Sequence, residues 1–122
     1  MKRYERQTIC GQPPSKSNSY RIITICGHAS MCKTKATEDY ERDFFNQCAL
    51  RGANISHRFK LDIDVYFSSD RPDLDNALKV VLDCLQRCDV IKNDRLCCEI
   101  CARKLIDKRC PRIEFTITET DL

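Results

Sequence analysis

Five residues between positions 73 and 94 carry the most distinctive chemistry in this sequence: Asp73, Asp75 and Asn76 in the run Asp73-Leu74-Asp75-Asn76, then Lys79, and Asp94 further on. Two carboxylates separated by one residue in an extended segment project to the same side and can share one cation. Magnesium suits such a pair, because it takes oxygen ligands, keeps several waters and needs only one or two carboxylates. Each residue also has a plain structural explanation. Asp75 or Asn76 serves equally as a helix N-cap, Lys79 and Asp83 as an exposed i,i+4 ion pair, and Asp94 as a turn residue. A helix of about 13 residues between the two acidic segments is roughly 20 Å long, so Asp94 reaches Asp73 and Asp75 only if the chain returns along that helix.

The elements that must position these residues are legible in the apolar pattern. Residues 58–68 alternate strictly, with Phe59, Leu61, Ile63, Val65 and Phe67 on one face, which predicts a strand. After the turn-like SSDRP, Leu78, Val81, Leu82 and Leu85 form a stripe at helical spacing, predicting a helix over about 75–87. A further helix is expected over about 34–50, with Tyr40, Phe44, Phe45, Cys48 and Ala49 on its apolar side and Gly52 beyond its end. Residues 4–10 and 21–26 read as strands separated by the loop GQPPSKSNSY, and 96–106 and 112–119 as a closing hairpin around DKRCP. Helices and strands mix without a regular βαβ rhythm. The expected fold is therefore α+β: a small single domain over 1–122, with a mixed, mainly antiparallel sheet and two helices packed on it.

Composition sets the class of partner. The 122 residues suffice for one domain with a core. No stretch approaches the roughly 20 apolar residues of a membrane helix, and MKRYERQ lacks the apolar run of a secretory signal. The expectation is a soluble cytoplasmic protein that does not engage a membrane. Residues 1–60 hold 11 Lys and Arg against 5 Asp and Glu, whereas residues 61–122 hold 10 against 13. This asymmetry fits a basic surface for a polyanion beside a concentration of carboxylates, or a scatter of solvated charge.

Ten cysteines in a chain of this length would suggest a disulfide framework in a secreted protein. Without a signal sequence, the expectation is reduced thiols used as small apolar residues. Cys84, Cys88, Cys97, Cys98 and Cys101 are close enough in sequence to raise the question of a structural zinc. Cys97 and Cys101 would lie about 13 Å apart along a strand, which disfavours a shared ion. His28 and His57 are expected in loops.

RPDLDNALKVVLD followed by VIKND resembles the signature of the RusA-type crossover-junction endodeoxyribonucleases, including the distance from Asp75 to Asp94. PPSKSNSYR resembles that family's N-terminal segment and RIEFTITE its last strand, so the resemblance spans most of the chain, weakly between about 22 and 57. It implies that Asp73, Asp75 and Asp94 bind one or two Mg²⁺ ions and that Lys79 is the lysine required for catalysis. One departure stands out: Pro72 precedes the first acid where a family arginine is expected, and Arg71 lies one step earlier.

The implied function is resolution of four-way (Holliday) junctions by paired symmetric phosphodiester hydrolysis, leaving 5′-phosphates. The implied assembly is a homodimer acting on branched DNA in a bacterial or phage-infected cell, in recombination or repair. Lys16, Arg21, Lys33, Lys35, Arg71 and Asn76 are the expected DNA contacts, mostly to phosphates. Two other classes compete: a non-catalytic branched-DNA-binding module and a cysteine-rich zinc-binding interaction domain. Neither accounts for Asp73, Asp75, Lys79 and Asp94 appearing together.

Overall fold

The computed structural model describes residues 2–15, 20–25 and 27–122, with strands 20–25 and 28–33 described by their backbone. Along the chain lie β1 (Gln7–Cys10), β2 (Tyr20–Ile25), β3 (His28–Lys33), α1 (Lys35–Gln47), β4 (Phe59–Phe67), α2 (Leu74–Arg87), a 3₁₀ turn (Asp94–Leu96), β5 (Cys97–Ile106) and β6 (Arg112–Glu119). Four strands form one sheet in the order β1-β6-β4-β5, and β2 pairs with β3 in a separate hairpin.

Alternation decides which face of the sheet carries the helices. Phe59, Leu61, Ile63, Val65 and Phe67 of β4 are all buried, as are Ile113, Phe115 and Ile117 of β6 and Ile9 of β1. These side chains meet Tyr40 and Phe44 of α1 and Ala77, Val80, Val81, Cys84 and Leu85 of α2 in one core. Phe44 stacks on Phe115 with ring centroids 6.1 Å apart. The fold is thus α+β, with two helices on one face of a mixed, mainly antiparallel sheet. Ile63, fully buried at the middle of β4, pairs with Phe115 on one side and Ala102 on the other. Ile63→Val is expected to cost about 0.5–1.5 kcal/mol through one lost methylene and its small cavity. A lower urea midpoint at unchanged slope is the measurement that checks it.

The opposite face is polar yet partly closed. Asp64, 8% exposed, is held between Arg6 (3.0 Å) and Arg103 (2.7 Å), which ties β4 to β5 and to the segment leading into β1. Arg112 lies over the Tyr66 ring at 3.8 Å.

Local chemistry starts each helix. Thr34 caps α1, its hydroxyl accepting from the Thr37 amide at 3.4 Å. Asp73 stands at the N-cap of α2 in an extended conformation, directly after Pro72. Phe45, expected on the apolar side of α1, is 49% exposed, because at 100° per residue it points away from the core that Phe44 enters.

Three further expectations require correction. Residues 96–106 and 112–119 do not form a hairpin: β5 pairs with β4 in parallel, β6 pairs with β4 antiparallel, and β4 lies between them. Period-two alternation assigns faces but not neighbours, and β4, buried along its core face, has partners on both edges. As a consequence β4, α2 and β5 form a βαβ crossover. Residues 28–33 are a strand rather than a loop, so His28 is a strand residue; its backbone pairs with Ile25 of β2, and Gly27 before it has φ +80°. The α2 stripe is also displaced. Leu78 and Leu82 are only half-buried, and the centre of the buried face runs through Ala77, Val81 and Cys84.

Candidate active site

Asp73 and Asp75 lie at the start of α2, just beyond the carboxyl end of β4. Asp73 is extended (φ −87°, ψ 134°), whereas Asp75 is already in the first helical turn, so the pair shares a helix N-terminus rather than one extended face. Unpaired amides and the helix dipole favour negative charge there. Asp73 makes no capping hydrogen bond, and among the described residues no side chain bonds or pairs with the carboxylates of Asp73, Asp75 or Asp94. All three are exposed. This contrasts with Asp64 and Asp107, each engaged by arginine; the Arg112 hydrogen bond holds Asp107 below the usual carboxylate range.

Two anchors bracket the acid pair. Downstream, the Asn76 side-chain amide donates to the Pro14 carbonyl at 3.1 Å, docking the PPS loop on the start of α2. The same loop is held to the end of β4, where Gln12 Oε1 accepts from the Ser68 amide at 2.7 Å. Upstream, Lys104 Nζ of β5 donates to the Asp70 carbonyl at 2.8 Å. Asn76, expected at the DNA, thus already has a structural partner.

Asp94 is elsewhere. Its backbone amide donates to Gln86 Oε1 at 2.9 Å, at the carboxyl end of α2. From Asp75 to Gln86 the helix advances roughly 16 Å. The sheet shows the same separation: Cys97, three residues after Asp94, pairs with Phe59 at the start of β4, whereas Asp73 follows the end of β4. With Asp83, Gln86, Arg87 and Asn93, Asp94 lines a cleft of about 350 Å³. Among the described residues, no group of three His, Cys, Asp or Glu side chains could hold a metal ion. One copy of the chain therefore offers two neighbouring carboxylates and, at the far end of the helix, a third.

The family comparison bears on this arrangement. The endodeoxyribonuclease RusA family matches residues 11–118, which takes in the PPS loop, both acidic segments and Lys79. The chain belongs to the RusA endodeoxyribonuclease family. No curated protein matches it. Within this RusA-family chain, Lys79 is exposed one turn beyond Asp75 on α2, and Arg71 is exposed in the loop before Asp73. Lys35 is exposed at the first position of α1. The hairpin register sets the backbones of Arg21 and Lys33 together at its open end, next to α1. Their side chains, like the whole of Lys16, lie outside the described residues.

Nothing in the local sequence marks Gln12, Gln86 and Lys104. Each acts through a backbone group 8 to 56 positions away, and no periodicity marks such a contact.

Among the described residues the cysteines form no disulfide. Cys48, Cys84 and Cys88 are buried, as suits thiols used as small apolar residues, whereas Cys10, Cys101 and Cys110 are exposed and do not fill that role. Burial, with the Cys48 thiol, Glu41 and Asp89 adding to it, pushes Cys88 up to about 11, and burial also raises Cys48. Thiols so raised are poor nucleophiles at neutral pH. No helix among the described residues is long and apolar enough to cross a membrane.

Proposed function

We propose that this chain is a magnesium-dependent endonuclease that resolves four-way DNA junctions by paired nicks, leaving 5′-phosphate and 3′-hydroxyl ends. The observation that carries the reading is the family match over residues 11–118, which includes acids whose side chains no other described residue engages. Exposed carboxylates on a helix N-terminus fit a hard cation that takes one or two of them and fills its remaining positions with water and phosphate. Bound there, magnesium supplies Lewis-acid polarisation of the scissile phosphate and a lowered pKa for an attacking water. Asp73 and Asp75 hold the cation, and Lys79 offsets the charge that builds on the phosphate during attack. Arg71, Lys35, Lys16, Arg21 and Lys33 contribute phosphate contacts that orient the DNA.

Three features support a second copy in the functional unit. Arg87 reaches Glu41 of α1 at 3.5 Å, so α1 lies on one flank of α2, and Leu74, Leu78 and Leu82 on the opposite flank remain half-buried. On that face of the sheet Ile100 and Ile106 of β5 are 42% and 53% exposed. In addition, among the described residues β5, ten residues long, pairs with β4 alone and leaves its outer edge open. A two-fold axis beside β5 covers all three. Because it runs the two β5 strands antiparallel, it brings Asp94 of the partner subunit toward Asp73 and Asp75. Two-fold symmetry also matches a substrate cut at two symmetric positions.

The test is cleavage of a synthetic four-way junction, a flap and a linear duplex in Mg²⁺ or EDTA. Paired nicks in the junction, dependent on Mg²⁺, are expected; no cleavage of any branched substrate overturns the reading. Lys79→Ala is expected to slow single-turnover cleavage about a hundredfold while changing junction affinity only a few-fold, since one phosphate contact among several adds little to binding. Equal losses in rate and affinity would make Lys79 an ordinary phosphate contact.

A further inference from the structure

The loop between β4 and α2 carries the first acid, and few bonds tie it down. It leaves the sheet at Phe67, where the Asp107 amide donates to the Phe67 carbonyl at 2.8 Å. Within the loop, the Arg71 amide donates to Ser69 Oγ at 3.4 Å. Across the loop reaches Lys104 of β5, its side chain largely covered (28% exposed) and its ammonium 5.8 Å from the Phe67 ring centroid. That ammonium donates to the Asp70 carbonyl at 2.8 Å and lies 3.3 Å from the Asp70 carboxylate. The carboxylate is 87% exposed, so the ion pair adds little; the bond to the carbonyl fixes the backbone.

Only Arg71 and Pro72 separate Asp70 from Asp73. Pro72 has its φ locked near −65°, and Arg71, preceding a proline, is restricted to extended conformations. With so few soft torsions between them, orientation at Asp70 carries through to Asp73. On the other side Asn76 is bonded to Pro14, so the acid pair is held from both ends.

We infer that Lys104 is a positioning residue for the cation site: by holding the Asp70 carbonyl it sets the Asp73 carboxylate beside Asp75. This rests on the reading of Asp73 and Asp75 as metal ligands. Lys104 touches neither DNA nor metal in this role. Charge and positioning predict opposite signs for its removal. Deleting a nearby cation strengthens a site for Mg²⁺ by removing repulsion, whereas releasing the loop weakens it.

The experiment is calorimetric titration of Mg²⁺ into the DNA-free protein, with Tm measured in EDTA as the check on folding. Wild type is expected to bind Mg²⁺ and Asp75→Asn to lose binding. Lys104→Met should weaken binding roughly tenfold or more, the usual penalty for losing an outer support of a metal ligand, with Tm little changed. Lys104→Arg, which still donates to a carbonyl, should restore most of the affinity. Unchanged or tighter binding by Lys104→Met overturns the role of Lys104 alone. Weakening that follows a lowered Tm and is not restored by Lys104→Arg also overturns it, leaving a merely stabilising residue. If Lys104→Met does not fold, the shorter Lys104→Gln carries the same expectation and the same refutation. Absence of binding by wild type itself removes the acid pair as a metal site, and the role of Lys104 with it.

Discussion

Asp75→Asn is expected to leave the protein folded and able to bind a four-way junction while its cleavage rate falls roughly a thousandfold, because a metal ligand's charge supports several kcal/mol of transition-state stabilisation at tenfold per 1.36 kcal/mol. Folding is spared because Asp75 is exposed and makes no side-chain bond to any described residue. Asparagine retains the shape of the side chain, and its helix propensity close to that of aspartate costs α2 little. DNA affinity should hold or rise, since a negative charge facing phosphates is removed. Binding by gel shift and single-turnover cleavage, measured on the same preparation, check both halves. Substantial Mg²⁺-dependent cleavage by the purified variant would remove Asp75 from the site.

Mixing two inactive subunits should restore activity. Asp75→Asn and Asp94→Asn homodimers are each expected to be inactive, but if each site combines Asp73 and Asp75 of one copy with Asp94 of the other, a mixed dimer contains one intact site and one doubly disabled site. Co-expressed, differently tagged subunits purified as the mixed dimer should nick a junction on one strand without the coupled second cut. The physical basis is the separation of roughly 16 Å along α2 between Asp75 and the Gln86 side chain that holds Asp94. No activity from a verified mixed dimer would place a functional set of acids within one subunit and retire the shared site. Charged substitutions on the same surface give an independent check. Ile106→Glu should shift the mass measured by light scattering toward the 14.2 kDa of a single chain.

Much of the fold could be read locally. The alternation of Phe59 through Phe67 assigned every core side chain of β4, because a strand half-buried along its whole length imposes a period of two. The spacing of Tyr40, Phe44 and Cys48 locates α1, whereas Phe45 departs from the expected apolar side because adjacent residues of a helix stand 100° apart and Phe44 takes the inward direction. The α2 stripe expected from spacing reaches too far toward Leu78 and Leu82, which are half-buried. Hydrophobicity alone gives those leucines an inward vote, although an intermediate position at the margin of a helix's buried face takes the same residue type as its centre.

Local sequence carries the chemistry available: the order Asp73, Asp75, Asn76, Lys79, Asp94, the start of a helix just after the SSDRP turn, and the family those features share. All of these depend on neighbours within a turn or a strand, where spacing fixes direction. Which strands lie side by side, and therefore where the acids stand, follows from long-range pairing. Inserting β4 between β5 and β6 turned an expected hairpin into a crossover, and a crossover sends the chain along α2 to the far end of the sheet before β5 begins, taking Asp94 away from Asp73 and Asp75. Strand order, and the hold of Lys104 on Asp70 across 34 residues, are set by the burial of both edges of β4 and by long-range pairing, and neither leaves a periodic trace in the chain.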